Sequence, residues 1–209
     1  VEDHLKFDEE TIEQIENHSF VPLKNIWWRN SELNFSSLNG LVSSLEAYPP
    51  FNFMRRKVGA LDAVCLNYLS EVSSIKNKIN NKEALILLWD VCQIPDFSNS
   101  LSSVHFSLLE KTFELLLANG KLDNEWIKSQ LNRLNKFDGE IDTLLNRISN
   151  IRTWTFITNR QKWIDESEYW QNEAKTIEDK LSDELHNRLT QRFVDKRIVI
   201  LNKTLKAVS

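Results

Sequence analysis

"RISNIRTWTFITNR", residues 147–160, is the stretch on which the fold turns. Taken alone, its TWTFIT half is rich in β-branched and aromatic residues and reads as a strand. Taken with its flank, it continues a stripe of Ile141, Leu144, Leu145, Ile148, Ile151, Trp154 and Ile157 at three- and four-residue spacing. That period belongs to one face of an α-helix and outvotes the shorter β signal. The same stretch carries three arginines, and no catalytic motif accompanies it anywhere in the chain.

Outward from it the pattern repeats. Four glycines and four prolines punctuate 209 residues, too few for a turn-rich β protein, so the fold class is all-α, a bundle-like arrangement of about eight to ten helices. Toward the N-terminus, Leu61–Val72 and Lys82–Ile94 are helical; "KEALILLWDVCQI" is apolar nearly all round and predicts a central buried helix stopped at Pro95. Val104–Ala118 ends in Asn119–Gly120, residue types that suit a left-handed C-cap. Trp126, Ile127, Leu131 and Leu134 mark the next helix, interrupted around Asp138–Gly139. Beyond the stripe, Asp165 and Glu168 form a capping-box variant. It introduces a long helix with Trp170, Ala174, Ile177, Leu181, Leu185 and Leu189 on one face and Phe193 within its reach.

The first fifty residues are more broken: a short helix capped by Asp8, Pro22, a segment with Ile26, Trp27 and Trp28, then "FSSLNGLVSSLEA" before Pro49–Pro50. The expected organisation is a connector over 1–50, a helical bundle over 51–164, and a long C-terminal helix with a basic tail over 165–209. Trp27–Trp28–Arg29 reads as an interdomain packing patch. The chain opens on Val1, with its sole methionine, Met54, well inside, as in a piece cut from something longer.

Composition bounds the function. With 41% hydrophobic residues the chain can bury a core unaided. Its longest apolar run, Ala84–Trp89, is far short of the ~20 residues that span a bilayer, and the acidic opening suits no signal peptide. No membrane partner and a cytoplasmic or organelle-matrix setting are expected. Cys65 and Cys92 lie in apolar helical patterns and read as buried thiols. The net charge of −4 conceals a gradient: the first twenty residues hold seven acids and one Lys, whereas from His186 onward six Lys or Arg meet a single acid, Asp195.

Catalytic chemistry is hard to place. The glycines at 40, 59, 120 and 139 include no pair at P-loop spacing, no serine sits in a G-x-S-x-G elbow, and no His or Cys pair has zinc-ligand spacing. What remains is a surface. On a helix, Arg152, Phe156 and Arg160 fall four apart with Trp163 a turn further on, a cationic and aromatic face. Guanidinium groups pair with phosphates and flat rings stack on unpaired bases, the combination that single-stranded nucleic acid requires. The same spacing also suits core aromatics flanked by salt-bridged arginines. Lys180, Arg188, Arg192, Lys196 and Arg197 add a second basic track.

Three stretches, "LWDVCQIPDF" at 88–97, "RISNIRTWTFITNR" at 147–160 and "EDKLSDELHNRLTQRFVDKR" at 178–197, carry a resemblance, and "WWRNSELNFSSL" at 27–38 also fits. The chain resembles the region that follows the motor domains in bacterial superfamily-two ATP-dependent helicases related to the mitochondrial degradosome RNA helicase. The resemblance implies an accessory helical region that packs beside two RecA-like domains and helps enclose single-stranded RNA or DNA. A ribonuclease partner is implied as well. ATP and Mg would belong to the motor domains alone, since Walker A, DExH and arginine-finger motifs are all missing here. The rival reading is an α-helical protein-interaction module without nucleic-acid contact.

The chain is therefore expected neither to bind ATP appreciably nor to hydrolyse it, with or without RNA. Strand-stimulated phosphate release that follows this polypeptide through purification would overturn that expectation.

Overall fold

The computed structural model describes residues 9–19, 25–98 and 103–208; for 9, 10, 195, 196 and 198–208 it describes the backbone alone. Among the described residues, 65% helix in nine segments and two three-residue strands make the architecture all-α. In chain order these are α1 (Glu9–Glu16), β1 (Ile26–Trp28), α2 (Leu38–Leu45), β2 (Met54–Arg56), α3 (Leu61–Glu71) and α4 (Ser73–Lys76). There follow α5 (Lys82–Cys92), α6 (Ser103–Asn119), α7 (Asn124–Leu134), α8 (Ile141–Thr158) and α9 (Ser167–Val208). Asp8, expected to cap α1, lies outside the described residues.

Local chemistry sets most of the boundaries. Ser37 and Asn81 accept hydrogen bonds from the amides of Gly40 and Ala84, capping α2 and α5, and Asp123 caps α7 through Glu125. Gly120 ends α6 in the left-handed region at φ 73°, as its Asn-Gly signal predicts. The capping box at Asp165 does not form. Its carboxylate instead pairs with Lys121, and α9 begins at Ser167, behind Glu166 at φ 56°.

One cluster of buried side chains runs from Leu41 to Leu181. Leu41, from the stretch read as a connector, is fully buried in it beside residues of α3 and α5. α5 is less enclosed than its sequence suggests: Ala84, Leu85, Leu88, Trp89, Val91 and Cys92 are buried, but Ile86 is exposed. α8 buries Leu144, Ile148, Ile151, Trp154 and Ile157 of its stripe, leaves Ile141 half-buried and Leu145 exposed, and packs against α9 through Trp170, Ala174, Ile177 and Leu181. The two run antiparallel, since Thr158 meets Gln171 while Arg152 meets Glu178. Thr153 Oγ1 donates to the Pro95 carbonyl at 3.0 Å, tying α8 to the end of α5.

β1 and β2 are a departure from the expected pattern. They pair in parallel, with Trp27 opposite Arg55 and Trp28 opposite Arg56. Three residues are too few to display a period of two, so no alternation announces them. Arg29, just past β1, anchors the sheet by donating to both Asp62 carboxylate oxygens at 2.7 and 2.8 Å while its guanidinium lies over the Trp89 ring.

Burial, helped by the Asp62 and Asp96 carboxylates, pushes the Cys65 thiol up to about 12; burial raises Cys92 as well. Both thiols are free, and thiol rather than thiolate is the form present near neutrality. A thiol reagent at pH 8 should therefore find neither cysteine in the folded chain and both in denaturant; fast stoichiometric labelling without denaturant would contradict this packing.

Candidate nucleic-acid interface

α8 has three working sides, and its motif is divided among them. The side expected to meet a strand carries Arg152 and Phe156; Arg160 and Trp163, expected to continue the same helix, fall instead in the turns that follow its end at Thr158. Arg152 Nε donates to Glu178 Oε1 at 2.9 Å, and the second carboxylate oxygen accepts from Thr155 Oγ1 at 3.3 Å. Its charge is thus matched by an acid on α9. The Arg160 guanidinium lies 4.8 Å from the Phe156 ring centroid and 5.5 Å from that of Trp163, so these three do come together.

Trp163 corrects the expected picture. It is 6% exposed, and its carbonyl accepts from the Leu122 amide at 2.7 Å, which draws the segment after α8 against the α6–α7 connection. With Arg160 over it and the core below, the indole offers no open face to a base. It is a packing residue.

The second track is equally mixed. Arg188 Nε donates to Glu184 at 2.7 Å, Arg192 is exposed, and the Arg197 guanidinium lies 5.4 Å from the Phe193 centroid. The side chain of Lys196 lies outside the described residues. Leu189, placed on the core face by its spacing, is exposed together with Phe193 and Val194. α9 has by then run past the N-terminal end of α8, so nothing of α8 is left to cover them.

The third side of α8 opens onto a groove of about 560 Å³ shared with α6 and α7. Lys111 enters it from α6, Arg133 from α7 and Arg147 from α8, with the amides of Gln130 and Asn150 beside them. Trp126 and Trp154 form its apolar floor, meeting edge to face at 5.2 Å between centroids. Among the described residues no Asp or Glu lines it. Arg147 is partly engaged: its Nη1 donates to the Lys136 carbonyl at 2.7 Å and to that of Asp138, whose carboxylate lies 3.6 Å away at the rim. Arg133 makes only a long contact to Gln130, at 3.3 Å.

Cations without carboxylates attract phosphate, and primary amides can hydrogen-bond base edges or sugars. The sequence singles out the motif but not this side of it, although Arg147, Asn150 and Trp154 stand at i, i+3 and i+7. Lys111 and Arg133 lie on other helices and only the tertiary fold brings them in. Elsewhere, His105 is buried and its pKa is lowered by that burial against the opposing pull of Asp96. Among the described residues no group of three or more His, Cys, Asp or Glu is arranged to hold a metal ion, and no helix is long and apolar enough to cross a membrane.

Replacing Trp163 by Ala should cost about 3–5 kcal/mol of stability, as for other buried tryptophans, whereas Arg152→Ala, on a half-exposed ion pair, should cost under about 1 kcal/mol. Thermal melts of both variants check the ranking; equal melting temperatures would place Trp163 outside the core. No family model, curated protein or solved structure matches the chain, so a functional reading rests on these side chains and on the motifs quoted above.

Proposed function

We propose that the chain is an accessory, strand-guiding region of an ATP-dependent helicase, and that it holds single-stranded RNA or DNA in the groove between α6, α7 and α8. The observation that carries this reading is the charge of the groove. A chain with a net charge of −4 gathers Lys111, Arg133 and Arg147 from three helices around one concavity whose described lining holds no carboxylate. Desolvated walls focus such a field, and an approaching phosphate meets no opposing charge inside. The half-buried Trp126 and the amides supply contacts that a purely electrostatic surface lacks.

The motif resemblance supports the same reading, because "RISNIRTWTFITNR" contributes Arg147, Asn150 and Trp154 to the groove. RecA-like motor domains would then supply ATP hydrolysis, and the groove would continue their path for the strand. An exoribonuclease is a further partner under this proposal. A protein-interaction module is favoured by one separate feature, the exposed Leu189, Phe193 and Val194 on the projecting end of α9.

Salt separates the two readings. Phosphate binding releases counterions, so affinity falls steeply as salt rises, whereas an apolar protein contact hardly responds. A twelve-nucleotide uridine oligomer should bind the chain at low salt. The double variant Lys111→Ala/Arg133→Ala should weaken that binding and lower the slope of log K against log salt by about 0.7 for each phosphate that is no longer neutralised. Both side chains are exposed, so the melting temperature should hardly move. A parent that binds the oligomer while this variant matches it at every salt concentration would remove the groove from consideration.

A further inference from the structure

β1 and the segment leading into β2 expose an unusual set of rings. Trp27 is 63% exposed, Tyr48 83%, Phe51 54% and Phe53 61%. Single exposed apolar residues are commonplace, but four exposed aromatics on two neighbouring segments ask for a partner. They are also held in place. Tyr48 and Pro49 each precede a proline, which biases them to extended backbone, and a turn closed by the Met54 amide donating to the Phe51 carbonyl at 3.0 Å follows. Phe51 and Phe53 stack at 5.3 Å with planes 10° apart. Arg56 lies over the Tyr48 ring at 5.3 Å and is pinned by its bond to the Glu46 carbonyl at 2.6 Å.

One face of the sheet sets charge beside Trp27, whereas Arg56 and the Tyr48 ring it covers belong to the other face. Trp27 stands opposite Arg55 in the parallel register, and Lys57, two residues on, brings its Nζ to 5.8 Å from the Trp27 centroid. From Ala47 to Leu61 the sequence holds three cations and no acid, and the next carboxylate, Asp62, is already occupied by Arg29. An acidic or purely apolar protein face would use either the charge or the rings. A single strand uses both, with phosphates on Arg55 and Lys57 and unpaired bases on the rings, each of which offers a π-face to any base.

We infer that Trp27, Phe51 and Phe53, together with Arg55 and Lys57, form a stacking platform for unpaired nucleotides, separate from the groove of α6, α7 and α8. This inference rests on the reading that the chain binds single strands, and adds a contact made through bases rather than through phosphates alone. Stacked bases tolerate any sequence, so the platform grips without selecting.

The test uses the full 209-residue chain with two probes, a twelve-nucleotide uridine oligomer and a twelve-unit abasic strand of the same charge. It compares the parent, Trp27→Ala, Phe51→Ala/Phe53→Ala, Arg55→Ala and the groove variant Lys111→Ala/Arg133→Ala by fluorescence anisotropy at two salt concentrations, with melting temperatures alongside. Removal of the rings is expected to weaken oligouridine binding about tenfold or more, leave the salt slope and melting temperature nearly unchanged, and leave the abasic strand unaffected. Arg55→Ala is expected to lower the slope for both probes. Ring variants that bind oligouridine as the parent does would overturn the platform, whether the groove variant then fails to bind or not; if they also change the self-association of the chain in sedimentation, the patch is a protein-docking face. Equal affinity of the parent for the two probes would overturn it too. Ring-dependent binding that the groove variant leaves intact would uphold the platform and remove the groove reading alone.

Discussion

The antiparallel contact of α8 with α9 is the constraint on which the rest of the molecule depends. Ile148, Ile151, Trp154 and Ile157 from one helix and Trp170, Ala174, Ile177 and Leu181 from the other are all buried. Ala174, with no exposed surface, sits in the middle of the α9 stripe, where a small side chain lets two helices approach closely. Once that seam is closed, everything else about α8 follows by rotation. The side toward the flank of α9 places Arg152 and Thr155 on Glu178; the opposite side is left to α6 and α7 and becomes the wall of the groove. The Thr153 hydroxyl on the Pro95 carbonyl then fixes the pair against the end of α5.

The same seam explains where α9 stops being part of the core. With Thr158 level with Gln171 and Arg152 level with Glu178, the start of α8 at Ile141 lies about level with Leu189. Past that point an uninterrupted helix runs on to Val208, because no glycine or proline occurs between Ser167 and Val208 to end it. At ~1.5 Å per residue, α9 is about 60 Å long. The apolar spacing of Leu185, Leu189 and Phe193 is therefore a true helical stripe that outlives its packing partner. Periodicity predicts which residues share a face, and is silent on how far the neighbouring helix extends.

That distinction separates what the sequence made legible from what it did not. Among the described residues, α1, α3 and α5 to α9 follow from local signals such as the stripe of α8, the Asn-Gly end of α6 and the Asn81 cap of α5, whereas α2, within the stretch read as a connector, and the four-residue α4 are not singled out. Several of the misreadings involve partners far along the chain. Asp165 looks like a helix cap until Lys121, 44 residues away, takes its carboxylate. The spacing leaves Arg152 either free or salt-bridged and Trp163 either exposed or core, and Glu178 on α9 and the burial of Trp163 decide for the second in each case. The candidate groove was illegible for the same reason: its three cations are separated by α7 and two connections in sequence and meet only in space.

A helix whose motif serves three purposes also limits how its function can be read from substitutions. Within "RISNIRTWTFITNR", Ile148, Ile151, Trp154 and Ile157 hold the core, Arg152 and Thr155 hold α9, and Arg147 clamps two carbonyls of the α7–α8 connection while reaching the groove. Removing Arg147 would therefore release the connection and the charge together, and any weakening of binding would have two causes. Trp154 has the same ambiguity, being both core and groove floor. Lys111 and Arg133 lack it, because each reaches the groove from an exposed position on a helix whose packing depends on other residues, Leu109, Phe113 and Leu116 for α6 and Ile127 and Leu131 for α7. The residues that best report on function in this fold are therefore those outside its most recognisable motif, where charge can be removed without disturbing the seam that positions it.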